Sequence, residues 1–452
     1  MHEGEGLLLS DIEQGRNTVR ALFEAALRAV NPARAVTENL AWRDGCLRVS
    51  DIAVPAPFGV HIVAVGKAAV PMTRGALDVL DGVVVTGDVV TKEGHADAPL
   101  PGRLRVHEAG HPIPDERGVQ ATTLALDALS ALDQRMVVLA LVSGGGSALL
   151  EAPRAGLSLS DLARTTDLLL RVGAPIDALN AVRAPLSRVK AGGLRAAAPG
   201  AAWVTLILSD VLGNDPRVIA SGPTVPGRRD PEMALEIINR YGTRDQVPGP
   251  ILAALEACSD ELRTDTRDDD VLLIIGDNAS AVGAAADEAG AMGLKSKIVW
   301  SGVQGEAADL GRNFVSTAAA APQCVDVVLG GGEATVTVRG KGRGGRNTEF
   351  ALAAALELER RHLGDWVVAS LGTDGQDALT GLAGAIADMA TPRRAHNAGV
   401  DPDLALVSND SARVFEVSGG AVATGPTGTN VNDLYIGVRI RDCQSSGHGE
   451  GE

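Results

Sequence analysis

Short apolar runs alternate with helix-like segments along almost the whole of this chain of 452 residues. The runs are rich in β-branched side chains, and several are continuously apolar rather than alternately apolar and polar. The strands predicted from them are His61–Val65, Val83–Val85, Met136–Val142, Trp203–Leu208, Val271–Ile275, Lys297–Trp300, Val325–Leu329 and Trp366–Leu371. Continuous apolar runs are typical of parallel strands that helices cover on both faces. The sequence therefore predicts an α/β fold with mainly parallel sheets.

The length and the composition indicate a globular protein of more than one domain. A chain of 452 residues exceeds what one ordinary hydrophobic core holds, and 45% of its residues are hydrophobic and 22% charged. We expect the boundary within Pro223–Asp270, a stretch rich in proline and acidic residues. The formal net charge of -16 argues against a nucleic acid or an anionic membrane as a partner.

Targeting and redox features predict a cytoplasmic protein. The four cysteines, Cys46, Cys258, Cys324 and Cys443, are scattered without a CxxC pair, so we expect neither disulfides nor a thiolate metal site. The first ten residues lack the pattern of a secretory signal, and no apolar run is long enough for a membrane span. The polar tail Ser445–Glu452 is predicted to be disordered.

A basic glycine-rich segment, Gly340–Asn347, stands between a strand-like and a helix-like segment. Glycines let backbone amides converge on an anion, and the start of the helix adds the positive end of its dipole. Lys341, Arg343 and Arg346 add full charges at the same place. In an acidic chain this concentration of positive charge predicts a bound phosphate. The alternative is a flexible turn with solvated charges.

Other candidate ligand-binding residues follow the predicted strands, where open α/β sheets bind their ligands. Lys67 follows one strand and opens a helix, where a cation opposes the helix dipole unless an anion sits there. A lysine that simply extends into water is the alternative. Ser143–Ser147 follows another strand and offers amides that could cradle a phosphate or a carboxylate. It is neither a Walker A loop nor a nucleophile elbow.

Carboxylates at strand ends predict a metal-binding or general-base role. Asp210, Glu333 and Asp374 each follow a predicted strand, and Asp377 lies close behind the last of them. Mg²⁺ typically takes one or two carboxylates together with substrate phosphates and water. A single aspartate at such a position is more often a helix cap or a turn residue. The spacing does not show which of these carboxylates has which role.

Further polar residues are candidates for binding a substrate. Arg183 and Lys190 lie along one helix face, where an anion and plain water are equally good partners. Thr424–Asp433 combines turn formers with many hydrogen-bonding side chains, which favours ligand contact over an ordinary loop. Two loop histidines, His95 and His111, are expected to be structural rather than catalytic. The substrate-binding candidates are Arg183, Lys190, Asn430, Asn432 and Asp433.

Seven motifs occur in a characteristic order from about Asp11 to Ile440. They are Val-Gly-Lys-Ala-Ala around Lys67, Ala-Gly-His-Pro-Ile-Pro-Asp, Ser-Gly-Gly-Gly-Ser-Ala-Leu-Leu, Leu-Asn-Ala-Val-Arg, Ile-Ala-Ser-Gly-Pro-Thr, Gly-Gly-Arg-Asn-Thr-Glu and Thr-Gly-Pro-Thr-Gly-Thr-Asn-Val-Asn-Asp. In this respect the chain resembles the glycerate 2-kinases of the MOFRL type. It departs from them at Thr348, at Asp377-Ala378 and at Lys190–Gly193, where the family commonly has Gln, Asp-Gly and Lys-Gly-Gly. The second departure weakens any role assigned to the Asp374–Asp377 loop.

The resemblance implies an architecture and an activity. The architecture is a Rossmann-like, mainly parallel domain and a smaller MOFRL-type α/β domain, with the active site in the cleft between them. We place these domains at residues 1–245 and 246–452, and expect residues 420–441 to pack back on the first domain. The activity is phosphorylation of D-glycerate at the C2 hydroxyl, with ATP and Mg²⁺ or another divalent cation.

The resemblance also implies roles for the candidates. Lys67 and Arg346 match residues that are regarded as catalytic in the family. The residues expected to bind nucleotide phosphates are Ser143, Gly144, Gly145, Gly146, Ser147, Gly342, Gly344 and Gly345. Two alternatives stay open: a hydroxypyruvate reductase, a label that some relatives carry, and a non-catalytic binding protein for small anionic acids. The oligomeric state is also open, with a homodimer as one option.

Overall fold

The computed structural model describes residues 2–96, 99–257 and 266–440, with side chains from Asp11 onward. Two compact units make up the chain. The first unit is Pro32–Ile275, and the second unit combines the described parts of Met1–Asn31 and Gly276–Glu452. The predicted domains, 1–245 and 246–452, differ from these units in two respects. The first unit begins only at Pro32, and it extends to Ile275. Cys258, Cys443 and the predicted disordered tail Ser445–Glu452 lie outside the described residues.

The first unit is built on a six-stranded sheet with the order β6-β5-β4-β7-β8-β9, and the registers from β6 to β8 are parallel. A small antiparallel sheet, β1-β2-β3, accompanies it. The strands are β1 (Leu40–Arg43), β2 (Cys46–Val49), β3 (Ile52–Pro55), β4 (Val60–Val65), β5 (Val85–Lys92), β6 (Arg103–Ala109), β7 (Val137–Ser143), β8 (Ala202–Leu208) and β9 (Val271–Gly276). The helices are α2 (Pro32–Asn39), α3 (Ala69–Val79), α4 (Glu116–Ser130), α5 (Gly146–Leu149), α6 (Leu159–Arg171), α7 (Ile176–Arg183), α8 (Gly193–Ala196), α9 (Pro231–Arg240) and α10 (Gly249–Ala257).

Burial explains the composition of the central strands. Every residue of β4, β7 and β8 is buried, which is why these strands read as continuous apolar runs. The parallel arrangement brings the carboxyl ends of β4, β7 and β8 to one edge of the sheet. The loops that follow these strands therefore meet at that edge.

The second unit has a mixed sheet with the order β10-β11-β15-β12-β13-β14. β10 and β11 are parallel, whereas the other neighbours are antiparallel, so the expectation of mainly parallel sheets is wrong for this unit. Its strands are β10 (Ser296–Glu306), β11 (Val327–Thr335), β12 (Trp366–Gly372), β13 (Gly384–Asp388), β14 (Ala421–Val422) and β15 (Asp433–Arg439). Its helices are α1 (His2–Ala29), α11 (Asn278–Ala291), α12 (Ala307–Ala319), α13 (Arg346–Arg360), α14 (Thr391–Asn397), α15 (Pro402–Val407) and α16 (Ser411–Ser418).

The last strand and the first helix both belong to the second unit. β15, which we expected to pack back on the first domain, pairs with β11 on one side and β12 on the other. Helix α1 presents Arg16 to the buried Asp388 at 2.6 Å. The first helix and the last strand therefore both complete this unit. Local sequence patterns do not reveal that arrangement.

The glycines of β11 lie inside the strand. The strand predicted to end at Leu329, with Glu333 beyond it, in fact continues to Thr335. A Cβ at Gly331 would collide with the side-chain amide of Asn278, so close packing of α11 on the strand accounts for a glycine there. None of the described helices has the length and apolar character that crossing a membrane requires.

Candidate active site

Lys67 lies in the turn between β4 and α3, just before the helix rather than in its first turn. Its backbone N–H donates to the carbonyl of Gly144 at 2.9 Å. The next amide, that of Ala68, donates to Ser143 Oγ at 3.1 Å. These bonds join the turn after β4 to the turn after β7. The structure thus brings Lys67 and the segment Ser143–Ser147 together.

The segment Ser143–Ser147 is packed closely by side chains from other loops. A Cβ at Gly144 would collide with the carboxylate of Asp210, so this predicted metal or general-base candidate lies directly against the segment. Gly145 has a φ of +85°, in the left-handed region that favours glycine, and it is the N-cap of α5. Ser147 Oγ lies 2.8 Å from Ser221 Oγ. Glycine is therefore required here by backbone conformation and by close contact.

Lys190 and Arg183, both predicted to bind substrate, contact the last residue of this segment. The prediction that they share one helix face is wrong, because α7 ends at Arg183 and Lys190 lies in a turn beyond it. Lys190 Nζ donates to the carbonyl of Ser147 at 2.9 Å and lies 3.1 Å from Glu151 Oε2. Arg183 donates to the same carbonyl at 3.3 Å. The side chain of Lys190 is only 2% exposed, and this burial lowers its pKa to about 8 although Glu151 opposes the shift. The side chain of Lys190 is therefore enclosed by protein. Arg183 donates to the same backbone carbonyl, that of Ser147.

Arg346 is the first residue of α13 and is held by two carboxylates. Its Nε donates to Asp433 Oδ1 at 3.1 Å and lies 2.8 Å from Oδ2, while a terminal nitrogen donates to Glu333 Oε1 at 2.9 Å. The carboxylates of Asp433, Glu333 and Asp374 raise the pKa of Arg346, although burial opposes them. The structure thus brings together four of the predicted site residues of the second unit.

Asp433 is a buried carboxylate whose charge depends on these neighbours. Burial raises its pKa to about 6, while Arg346 and the side-chain amide of Asn347 oppose the rise. Asn347 Nδ2 donates to Asp433 Oδ1 at 3.0 Å, and Ser370 Oγ donates to Asn347 Oδ1 at 2.6 Å. Burial and the charge of Asp433 also raise the pKa of Tyr435.

Asp377 caps the helix that carries Arg346. Its carboxylate accepts the backbone N–H of Asn347 at 2.9 Å, the N–H of Thr348 at 2.8 Å and the hydroxyl of Thr348 at 2.7 Å. Sequence reasoning gave Asp377 no definite role, because the cap lies in another part of the chain from the helix. No local signal identifies such a partner.

The basic glycine segment is bound along the loop between α15 and α16. Asn409 Oδ1 accepts the amides of Arg339 and Gly340 at 2.7 and 2.9 Å, and Asp410 Oδ1 accepts that of Arg343 at 2.8 Å. The amide of Gly342 donates to Ser408 O at 3.1 Å, and that of Gly345 donates to Thr348 Oγ1 at 3.0 Å. Phosphate binding by Gly342, Gly344 and Gly345 stays a prediction, since several amides of this segment already have partners.

The loop Thr424–Asp433 packs against the end of β12. Thr427 Oγ1 donates to the carbonyl of Thr373 at 2.5 Å, and Thr373 Oγ1 donates to the carbonyl of Asn432 at 2.7 Å. Asn430 Oδ1 accepts the amide of Asn432 at 3.3 Å. This packing places the predicted substrate-binding residues Asn430 and Asn432 on the turn that leads directly to Asp433.

The predicted site residues thus form two groups, one in each compact unit. Lys67, Ser143–Ser147 and Asp210 belong to the first unit, whereas Arg346 and its carboxylates belong to the second. Within the described parts of the chain, no group of three or more histidine, cysteine, aspartate or glutamate side chains is placed to hold a metal ion. In the first group the backbone of Lys67 is bonded to the glycine segment. In the second group Arg346 is paired with carboxylates.

Comparison with known proteins shows the family. Residues 18–256 match a family described as a domain of unknown function, DUF4147, and residues 326–433 match the MOFRL family. Over 439 residues the chain is 36% identical to D-glycerate 2-kinase of Thermotoga maritima, with 95% of this chain and 100% of that protein covered. This chain belongs to the glycerate 2-kinase family. The family resemblance that the motifs indicated is therefore confirmed.

Two further comparisons support this membership. Glycerate 2-kinase of Pyrococcus horikoshii is 36% identical over 428 residues, which cover 92% of this chain and 96% of that protein. A crystal structure of glycerate kinase from Thermotoga maritima matches with a TM-score of 0.84 at 35% identity, and covers 95% of this chain and 100% of that one. The predicted α/β fold class is thus that of a solved glycerate kinase.

Proposed function

We propose that this protein phosphorylates D-glycerate at the C2 hydroxyl, with ATP as the phosphoryl donor. The observation that carries the proposal is the likeness to the Thermotoga maritima D-glycerate 2-kinase, at 36% identity over the full length of that protein. The geometry of each unit supports it. The first unit joins Lys67 to a glycine segment, and the second fixes Arg346 at the start of a helix.

The reaction requires little covalent work from the protein. The C2 oxygen of glycerate attacks the γ-phosphorus, the bond from that phosphorus to the bridging oxygen breaks, and ADP leaves. Positioning and neutralisation of negative charge supply most of the rate enhancement in such transfers. We assign Lys67 and Arg346 to this neutralisation and the segment Ser143–Ser147 to binding phosphate.

The carboxylates divide into two proposed roles. Glu333 and Asp433 pair with Arg346, so we assign them to holding that cation. Asp210 and Asp374 remain the candidates for contacting the divalent cation that ATP brings with it, or for taking the proton of the C2 hydroxyl. One or two carboxylates are enough for this, because Mg²⁺ keeps phosphate oxygens and water as its other ligands.

A coupled assay of ADP formation tests the proposal. Wild-type protein with D-glycerate, Mg²⁺ and ATP should release ADP, and Lys67→Ala should lower kcat by at least about 10²-fold, as the loss of an electrostatic contact to a transition state does. Lys297→Ala, at an exposed lysine on β10, is the control and should keep wild-type kcat. Near-wild-type turnover by Lys67→Ala would refute the assignment of this residue.

The two alternatives make different predictions. A hydroxypyruvate reductase would oxidise NADH with hydroxypyruvate, which a separate absorbance assay measures. A binding protein would bind glycerate without releasing ADP. The location of the active site in a cleft between domains stays a prediction.

A further inference from the structure

The imidazole of His111 packs directly on the glycine segment of the first unit. A Cβ built on Gly145 would lie 3.0 Å from His111 Cδ2, 3.1 Å from His111 Nε2 and 3.5 Å from Lys67 Cγ. The absence of a side chain at Gly145 thus lets the imidazole and the lysine approach the same backbone. His111 is therefore part of the group formed by Lys67 and Ser143–Ser147.

Positive charge is concentrated around this imidazole. Burial lowers the pKa of His111 and the charges of Lys67, Lys92 and His95 act in the same direction, so that together they bring it to about 4. His95 Nδ1 lies 3.1 Å from the carbonyl of Lys67, which places a second imidazole at the same strand ends. His111 is accordingly neutral near pH 7, and one of its ring nitrogens carries a proton that it can donate.

Three acidic side chains near the imidazole have other partners, and a fourth, Asp210, lies against Gly144 of the segment. Glu93 and Asp115 lie 2.9 and 2.8 Å from Arg117, and Glu108 Oε1 accepts the amides of Gly94 and Ala96. Among the described residues, none of these three carboxylates forms an ion pair with Lys92.

Among the described residues, neither His111 nor Lys92 has a side-chain hydrogen bond or an ion pair. Both are partly exposed at the carboxyl edge of the sheet, where Lys92 ends β5 and His111 follows β6. The charge of Lys92 acts on His111. A neutral donor within the field of a cation is suited to one oxyanion, because the donor fixes its orientation and the cation supplies its counter-charge.

We propose that His111 and Lys92 bind an anionic group of a substrate over Gly145. This group is a carboxylate or a phosphate, and it comes from glycerate or from the nucleotide. The inference rests on the proposed function for the identity of the substrates, but the anion site itself rests on the geometry alone. His111 and Lys92 are binding residues in this account, and Lys67 keeps its role at the transferring group.

Variants at the two positions test the site and identify its ligand. His111→Gln replaces the imidazole N–H donor with an amide N–H donor at a different position. Lys92→Met keeps the aliphatic length but removes the charge. Each should raise the KM for one substrate at least tenfold while kcat falls less. A rise confined to D-glycerate identifies the carboxylate, and a rise confined to ATP identifies a phosphate. A change of less than tenfold in both KM values would overturn the proposal.

Controls separate binding from folding and from the proposed activity. His362→Gln, at an exposed histidine of the second unit, should leave both KM values unchanged. The urea midpoints of His111→Gln and Lys92→Met should equal that of the wild type, since neither side chain carries a hydrogen bond. KM values equal to those of the wild type, together with a lowered urea midpoint, would mean a structural role for the side chain and would also overturn the proposal.

Direct titration keeps the test independent of turnover. If the wild type releases no ADP with glycerate, the proposed function fails, but calorimetry with D-glycerate and, separately, with inorganic phosphate still measures the anion site. The wild type should bind one of these ligands, and Lys92→Met should weaken that binding at least tenfold. Equal binding by wild type and variant, or no binding of either ligand by the wild type, would refute the site.

Discussion

At the scale of single residues, Arg346 is paired with a buried carboxylate, that of Asp433. Asp433 is fully buried, and its partners are the guanidinium of Arg346 and the amide of Asn347. Its burial raises the pKa to about 6 from an ordinary value of 3.8. Between these two pH values the folded protein retains a proton that the unfolded chain has already lost.

This difference gives the stability a predictable pH dependence. The free energy of unfolding of the wild type, relative to Asp433→Asn, should fall as the pH rises from about 4 to 6 and stay level above about 7, with a slope of at most about 1.4 kcal/mol per pH unit. Urea unfolding at several pH values measures it. The exposed Asp403→Asn is the control and should stay within about 0.5 kcal/mol of the wild type. A relative stability that rises over the same range would contradict the assignment.

Sequence reasoning identified individual residues where the signal is local. Lys67 stands out because a Gly-Lys pair directly follows an apolar strand, and Arg346 because basic residues and glycines precede a helix, and the roles of both stay predictions. The contacts of Asp377 with the start of α13 and of His111 with Gly145 have no such local signal, because each joins distant parts of the chain. A one-dimensional pattern carries no record of such contacts.

At the scale of elements, a buried ion pair supports the glycine segment after β7. Lys190 and Glu151 are 2% and 3% exposed in their side chains and lie 3.1 Å apart. Glu151 also accepts the hydroxyl of Ser187 at 2.6 Å. Removal of one partner of a buried pair leaves an uncompensated charge, whereas removal of both leaves only an apolar contact.

Lys190→Met should therefore destabilise the protein by about 3 to 5 kcal/mol, and Lys190→Met with Glu151→Leu should recover most of that loss. Arg171→Met, which removes an exposed pair with Asp167, is the control and should cost less than about 1 kcal/mol. Urea unfolding of the four proteins gives the comparison. A double variant no more stable than Lys190→Met alone would argue against a charge effect.

The predictability of elements depended on how completely they are buried. β4, β7, β8 and β12 are buried at every position, and their apolar runs matched the strands closely. β6 was missed, because it is an edge strand whose polar residues, Arg105 and His107, contact the buried Asp88. The parallel or antiparallel direction of the second sheet depends on connections that periodicity does not encode.

At the scale of the whole molecule, the second unit needs both ends of the chain. The buried Asp388 is paired by Arg394 of α14 and by Arg16 of α1. Helix α1 also buries Val19, Leu22 and Phe23, each at most 3% exposed. A fragment that begins at Gly276 therefore lacks one of the two counter-charges of Asp388 and part of the core of its unit.

Fragments of the chain test this organisation. Residues 32–275 should fold alone, with cooperative thermal unfolding by circular dichroism. Residues 276–452 should unfold without cooperativity, and addition of a peptide of residues 11–31 should restore a cooperative transition. A peptide in which Arg16 is changed to Met should restore it less well. Cooperative unfolding of residues 276–452 alone would show that α1 is dispensable.

The central claim is the transfer of a phosphoryl group from ATP to the C2 hydroxyl of D-glycerate. Proton-coupled ³¹P NMR of the reaction mixture tests it most directly, because a phosphate on C2 couples to one carbon-bound proton and a phosphate on C3 couples to two. The account predicts a new ³¹P doublet that grows as the ATP signals decline. A triplet, or no new phosphate ester in the presence of folded protein, would contradict this claim.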